Sequence, residues 1–83
     1  MILASEAAVK RLGLTPLARL VSAADAAHQP EWFTTAPAKA VPLALSKASW
    51  SIADVDLWEL NEAFAVVGLA NMELLGLDAS KVN

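Results

Sequence analysis

Val55-Asp56-Leu57-Trp58-Glu59-Leu60-Asn61-Glu62-Ala63-Phe64-Ala65 is the stretch that decides the fold. Residues 55–60 read as a short buried strand. Residues 62–75 read as the clearest helix of the chain, with Phe64, Val67 and Ala70 or Asn71 on an apolar face beside Leu74 and Leu75, and Gly76 stopping it. Asn61 falls at the junction. In open α/β sheets ligands gather beyond the carboxyl ends of the strands. An amide held there by two regular elements can orient a ligand or a water. Asn61 is equally a preferred helix cap, and the two roles are compatible.

Outward from this junction the pattern alternates. Residues 2–4 look like the tail of a strand. Ser5 reads as an N-cap, with Glu6 in the first turn, Val9 and Leu12 on one face, and Gly13 at the end of a helix. Residues 17–24 are apolar with little alternation, as in a strand covered on both faces or in a buried helix. Residues 25–35 read as a loop containing Pro30, Trp32 and Phe33; eleven residues without regular structure suggest a binding loop. Thr35 is the expected cap of the next helix and Pro37 suits its first turn. Val41, Leu45 and Ala48 share a face, and Pro42 should bend the helix. Ser49-Trp50-Ser51 interrupts it, Ser51 opens a turn through Asp54, Asp78 and Ser80 open another, and residues 82–83 begin a strand. The order β-α-β-α-β-α predicts an α/β fold with an incomplete sheet, since three strands leave parallel edges unpaired and faces uncovered.

Composition sets the outer limits. Eighty-three residues make at most one small domain. The hydrophobic share is 57 %, above the roughly 45–50 % of soluble domains, so this looks like the interior of something larger or one half of an obligate interface. There is no cysteine, hence no disulfide and no thiolate metal site, and the single His28 cannot build a His cluster. A net charge of −3 with six scattered Lys and Arg argues against nucleic acid. No apolar run is long enough for a membrane span, and residues 1–6 lack the features of a signal peptide. A cytoplasmic location follows as the expectation, with a mitochondrial or peroxisomal parent left open.

The sequence resembles the thiolases, the coenzyme A-dependent acyltransferases, over essentially its whole length. Three stretches in order carry the likeness: Leu17-Ala18-Arg19-Leu20-Val21-Ser22, Pro30-Glu31-Trp32-Phe33-Thr34-Thr35-Ala36-Pro37 with its Pro42-containing helix, and Asp56 to Ala65. Within the family the likeness is greatest to the biosynthetic members. It implies that residues 1–83 are part of the C-terminal half of a duplicated α/β fold. It implies two cysteines and a Gly-His-Pro motif that these residues do not contain. It implies that two acetyl-CoA molecules condense to acetoacetyl-CoA, or the reverse, with coenzyme A thioesters as substrates and no permanently bound cofactor or metal. Asn61 then matches the Asn that holds a water at the enolate oxygen, Ala63 and Phe64 match residues lining that pocket, and Phe33 matches a pocket-facing loop residue. The implied partners are the acyl-CoA and the remainder of a thiolase chain or another subunit, in a homo-oligomer. The alternative is a non-catalytic truncated module with a structural or interaction role.

Other residues read more plainly. Glu62 suits a first helical turn, or a hydrogen bond near the site. Phe64 is also a candidate core residue. Trp32, Trp50 and Trp58 are packing residues, with Trp32 able to lie near a ligand. His28 is outside any Gly-His-Pro context. Ser5, Ser22, Ser46 and Ser51 have no neighbouring base to make them nucleophiles. Asp54 and Asp56 read as solvated turn residues.

Overall fold

Ser5 opens the first helix as its pattern requires. In the computed structural model, which describes all residues 1–83, its side chain accepts the N–H of Ala8 at 3.2 Å and helix α1 runs Glu6–Leu12. Gly13 ends it in the left-handed conformation, where a Cβ would be strained. Helix α2, Pro37–Ala48, follows a 3-10 helix, Pro30–Thr35; helix α3 is Ala65–Leu75, closed by Gly76 at φ 64°. Two single 3-10 turns, Ile52–Asp54 and Ala79–Lys81, complete the regular structure.

Several expectations change at this point. The loop 25–35 is not irregular throughout, because its second half is the 3-10 helix, which runs directly into α2. Thr35 therefore does not cap α2; its hydroxyl donates to the Trp32 carbonyl at 3.0 Å. Helix α3 starts at Ala65 rather than at residue 62, with extended Phe64 at its N-cap. Asn61 is thus no cap, and Glu62 lies before the first turn rather than in it. Helix α3 is apolar around most of its girth rather than on one face, Asn71 and Glu73 being its only polar residues, the pattern of a helix that needs cover on more than one side.

Of the expected strands, only the last pair forms a bridge. Trp58 donates to the Lys81 carbonyl at 2.8 Å and Asn83 donates to the Trp58 carbonyl at 3.1 Å, a parallel pairing. The Asn83 side chain extends it by one rung, accepting from Leu60 N–H at 2.7 Å and donating to Leu60 O at 3.3 Å. One parallel bridge thereby joins the segments on either side of α3, and no ladder longer than this forms among these residues. Residues 2–4 and 17–24 pair with nothing. Residues 15–28 take part in no backbone–backbone hydrogen bond. Yet from Val21 to His28 the side chains alternate between exposed and half-buried, the period of a strand lying on one face. Ser22 Oγ, donating to Ala44 O at 2.7 Å, and Lys47 Nζ, donating to Ala23 O at 2.9 Å, tie this segment to α2.

The core is small. Leu60, Val67, Gly68 and Asn71 are the buried residues, all in or beside α3, which packs on α2 and on the 3-10 helix. The radius of gyration is 15.4 Å, against about 12 Å for a compact domain of this length. The exposed area is 6581 Å², where a compact chain of this size exposes about 4,700 Å². Trp32 and Trp50 stay exposed, so they do not pack within these residues, while Trp58 is half-buried at the bridge.

Candidate functional site

Buried Leu60 and the helix beginning at Ala65 leave Asn61 to Phe64 as a short exposed link. Its turn is closed by Ala63 N–H donating to Asn61 O at 3.0 Å. The amide of Asn61 is engaged by no protein group, so both its donor and its acceptor face outward. In front of it lies a concavity of about 220 Å³ walled by Phe33, Thr34, Pro37, Asn61, Ala63 and Val67. A larger groove of about 440 Å³ lies on the other side of Asn61, between residues 24–26, α2 and Glu59–Leu60. Asn61 and Pro37 line both.

Three residues singled out in the sequence, Phe33, Asn61 and Ala63, therefore meet at one surface although Phe33 is far from the other two in the chain. Phe64 does not line the concavity, and it is no core residue, being 60 % exposed. It touches the site through Phe33, the rings edge to face at 6.5 Å and 72°, a geometry favoured by the ring quadrupoles. Glu62 turns back onto α3, where its carboxylate lies 3.4 Å from the position a Cβ on Gly68 would occupy. Glu62 therefore lies within contact distance of Gly68. His28 borders neither concavity; it is half-buried on the extended segment, its Nδ1 enclosed and unpaired.

The residue that sequence reasoning passed over is Asn71. Its side chain is fully buried. Oδ1 accepts from Ala38 N–H at 2.9 Å, and Nδ2 donates to Thr34 O at 2.8 Å and to Val67 O at 2.7 Å. Ala38 N–H is one of the free donors of the first turn of α2, so the cap that Thr35 does not supply comes from another helix. One signal was legible: an amide within a mostly apolar helix must find partners when buried.

Two acidic turns stand apart from the concavity. The Asp54 carboxylate accepts from Ser51 N–H and Oγ, both at 2.7 Å, and these bonds hold its pKa below the usual aspartate value, the backbone one first. Asp78 accepts from Ser80 Oγ at 2.7 Å and Ser80 N–H at 2.9 Å and is lowered likewise, mainly by the hydroxyl. Asp54 is thus a turn-closing group rather than merely solvated. No three His, Cys, Asp or Glu side chains converge as a metal site would need.

The link between the Trp58 bridge and α3 thus presents an unengaged amide at the edge of a small concavity. The family model of the thiolase C-terminal domain matches residues 14–83. The chain belongs to the thiolase family. It is similar to a probable acetyl-CoA acetyltransferase of Dictyostelium discoideum, 54 % identical over the whole of this chain and 20 % of that one. Among solved structures it superposes on human mitochondrial 3-ketoacyl-CoA thiolase with a TM-score of 0.92 and 46 % identity, over 96 % of this chain and 20 % of that one. A thiolase of Ascaris suum, solved in complex with coenzyme A, gives a TM-score of 0.92 and 43 % identity over 95 % of this chain and 21 % of its own. The chain thus spans about a fifth of the length of the curated relatives it matches. No helix is long and apolar enough to cross a membrane.

Proposed function

We propose that residues 1–83 form a part of the C-terminal half of an acyl-CoA acyltransferase that condenses two acetyl-CoA to acetoacetyl-CoA and coenzyme A, or cleaves the product with coenzyme A. Their contribution is the Asn-Glu-Ala-Phe wall of the active site. The observation that carries this reading is the unengaged Asn61 amide at the lip of the concavity lined by Phe33 and Ala63. In the condensation, a carbanion forms at the methyl of one acetyl thioester, and charge collects on its carbonyl oxygen as an enolate. Donors fixed in advance at that oxygen lower the barrier most. Asn61 does this by holding a water against the oxygen, a task for an amide because it neither titrates nor attacks. Ala63 leaves space beside it, and Phe33, steadied by Phe64, closes the apolar side against the acyl group. The proton transfers and the acyl attachment need a thiolate and an imidazole, which other segments bring. These residues are inactive alone, and the compartment is that of the assembled enzyme.

The deciding experiment joins two measurements. The first is the intact mass of the native protein under denaturing conditions. The second is acetoacetyl-CoA cleavage by that protein before and after Asn61→Ala. A mass several times that of 83 residues, with turnover that falls on substitution, is the expected result. A mass of these residues alone, with folding or association but no coenzyme A-dependent chemistry, would leave the non-catalytic module as the function.

A further inference from the structure

Asn71 has the most enclosed large side chain of the molecule, and none of its three hydrogen bonds ends at a neutral place. Thr34 and Val67, whose carbonyls take its two N–H groups, both line the concavity in front of Asn61. Ala38, whose N–H it accepts, directly follows Pro37, a third lining residue. One wall of the concavity is the 3-10 helix and the start of α2, with Phe33, Thr34 and Pro37. The other is the Asn61 link and α3, with Ala63 and Val67. The Phe33–Phe64 contact also joins the walls, but both rings are more than half exposed. Asn71 is the enclosed tie.

The geometry points to Asn71 as the positioning residue that sets the spacing of these two walls, and through it the length of acyl chain admitted beside Asn61. The inference rests on the site reading proposed above. It also explains why this position holds an amide. Two carbonyls and one N–H converge there, so the side chain must supply two donors and an acceptor within one short planar group. A carboxylate would face two carbonyls without a donor. An aliphatic group of the same size would leave Ala38 N–H and Thr34 O unpaired and let the walls separate.

The test is made in a full-length thiolase carrying residues 1–83 as its corresponding segment. Thiolysis is followed with acetoacetyl-CoA and with a straight six-carbon 3-ketoacyl-CoA. Asn71→Ser is the informative variant, because a helical serine can still bond the carbonyl four residues back, here Val67, while losing reach to Thr34 and Ala38. Displacing reacting groups by an ångström can cost about 10²-fold. The expected result is a change of about 10-fold or more in the ratio of kcat/KM for the two substrates, with kcat on acetoacetyl-CoA reduced and the far-UV spectrum unchanged. A lowered melting temperature with the ratio and kcat of the parent would overturn the proposal and leave Asn71 a purely structural group. Should Asn71→Ser not fold, Ala38→Pro removes the N–H that Asn71 accepts, within the first turn of α2 where proline is tolerated, and the same ratio decides. Asn61→Ala in the same background separates the two levels. Lost turnover there with an unmoved ratio in the Asn71 variant refutes the positioning role alone; undiminished turnover in Asn61→Ala refutes the site reading itself.

Discussion

Asn61 and Asn71 are chemically identical side chains ten positions apart, and their surroundings give them opposite properties. Asn71 is saturated and enclosed; Asn61 is exposed with its amide free. Because Asn61 neither caps α3 nor ties down a neighbour, Asn61→Ala should change stability by less than about 0.5 kcal/mol. In a full-length enzyme it should lower turnover by about 10²–10³-fold, the usual cost of removing one donor arrangement at a developing oxyanion. Thermal melting and thiolysis assays on one preparation check both halves. Asn61 was marked by its place at a strand-to-helix junction, Ala63 and Phe33 by the resemblance to thiolases, and all three line the one concavity. Sequence reading took Phe64 for a possible core residue and missed Asn71, because both turn on which segments meet in space. That Thr34, Ala38 and Asn71 converge is a fact of tertiary structure that no spacing in the chain announces.

At the scale of the elements, caps and stops were the most legible. Ser5, Gly13, Pro37 and Gly76 all act where their backbone preferences place them. Strands were the least legible, since a strand exists only with a partner, and residues 17–24 have none among these residues. The one non-glycine residue with positive φ is Ser49, at 58°, ending α2. Ser49→Gly should therefore raise stability by about 1 kcal/mol, and Gly76→Ala, at φ 64°, should lower it by a similar amount. Thermal melts of the two variants in the full-length protein should shift in opposite directions. The two acidic turns carry a pH signature. Asp54 and Asp78 have folded-state pKa values below the ordinary 3.8, so their contribution is present above that value and is lost as pH falls through the depressed folded ones. Carboxyl NMR titration should find both lowered, and Ser51→Ala and Ser80→Ala should each return their own aspartate towards 3.8 without moving the other.

At the scale of the whole molecule, the surface carries the message. The excess of exposed area over a compact chain is roughly 1,800 Å², about twice what one partner contributes to a standard interface. Leu17, Leu20, Trp32, Leu57, Val66, Leu69 and Leu74 supply much of its apolar part, and α3 needs cover on faces these residues do not provide. Residues 1–83 produced alone should bind a hydrophobic dye strongly, self-associate on size-exclusion chromatography and show no acetoacetyl-CoA cleavage; a monodisperse, dye-silent monomer would contradict that. The bare backbone of residues 15–28 has a further consequence for how such a protein is made. The bridge between Trp58 and Val82 joins segments close in sequence and can close as soon as they leave the ribosome. The extended segment ahead of it emerges first, with every rung open, and any other nascent strand that drifts past fits it as well as the right one. Synthesis therefore opens a window in which yield is settled by which strand arrives first, and a chaperone that shields some dozen residues would matter more to this protein than several kilocalories of native stability.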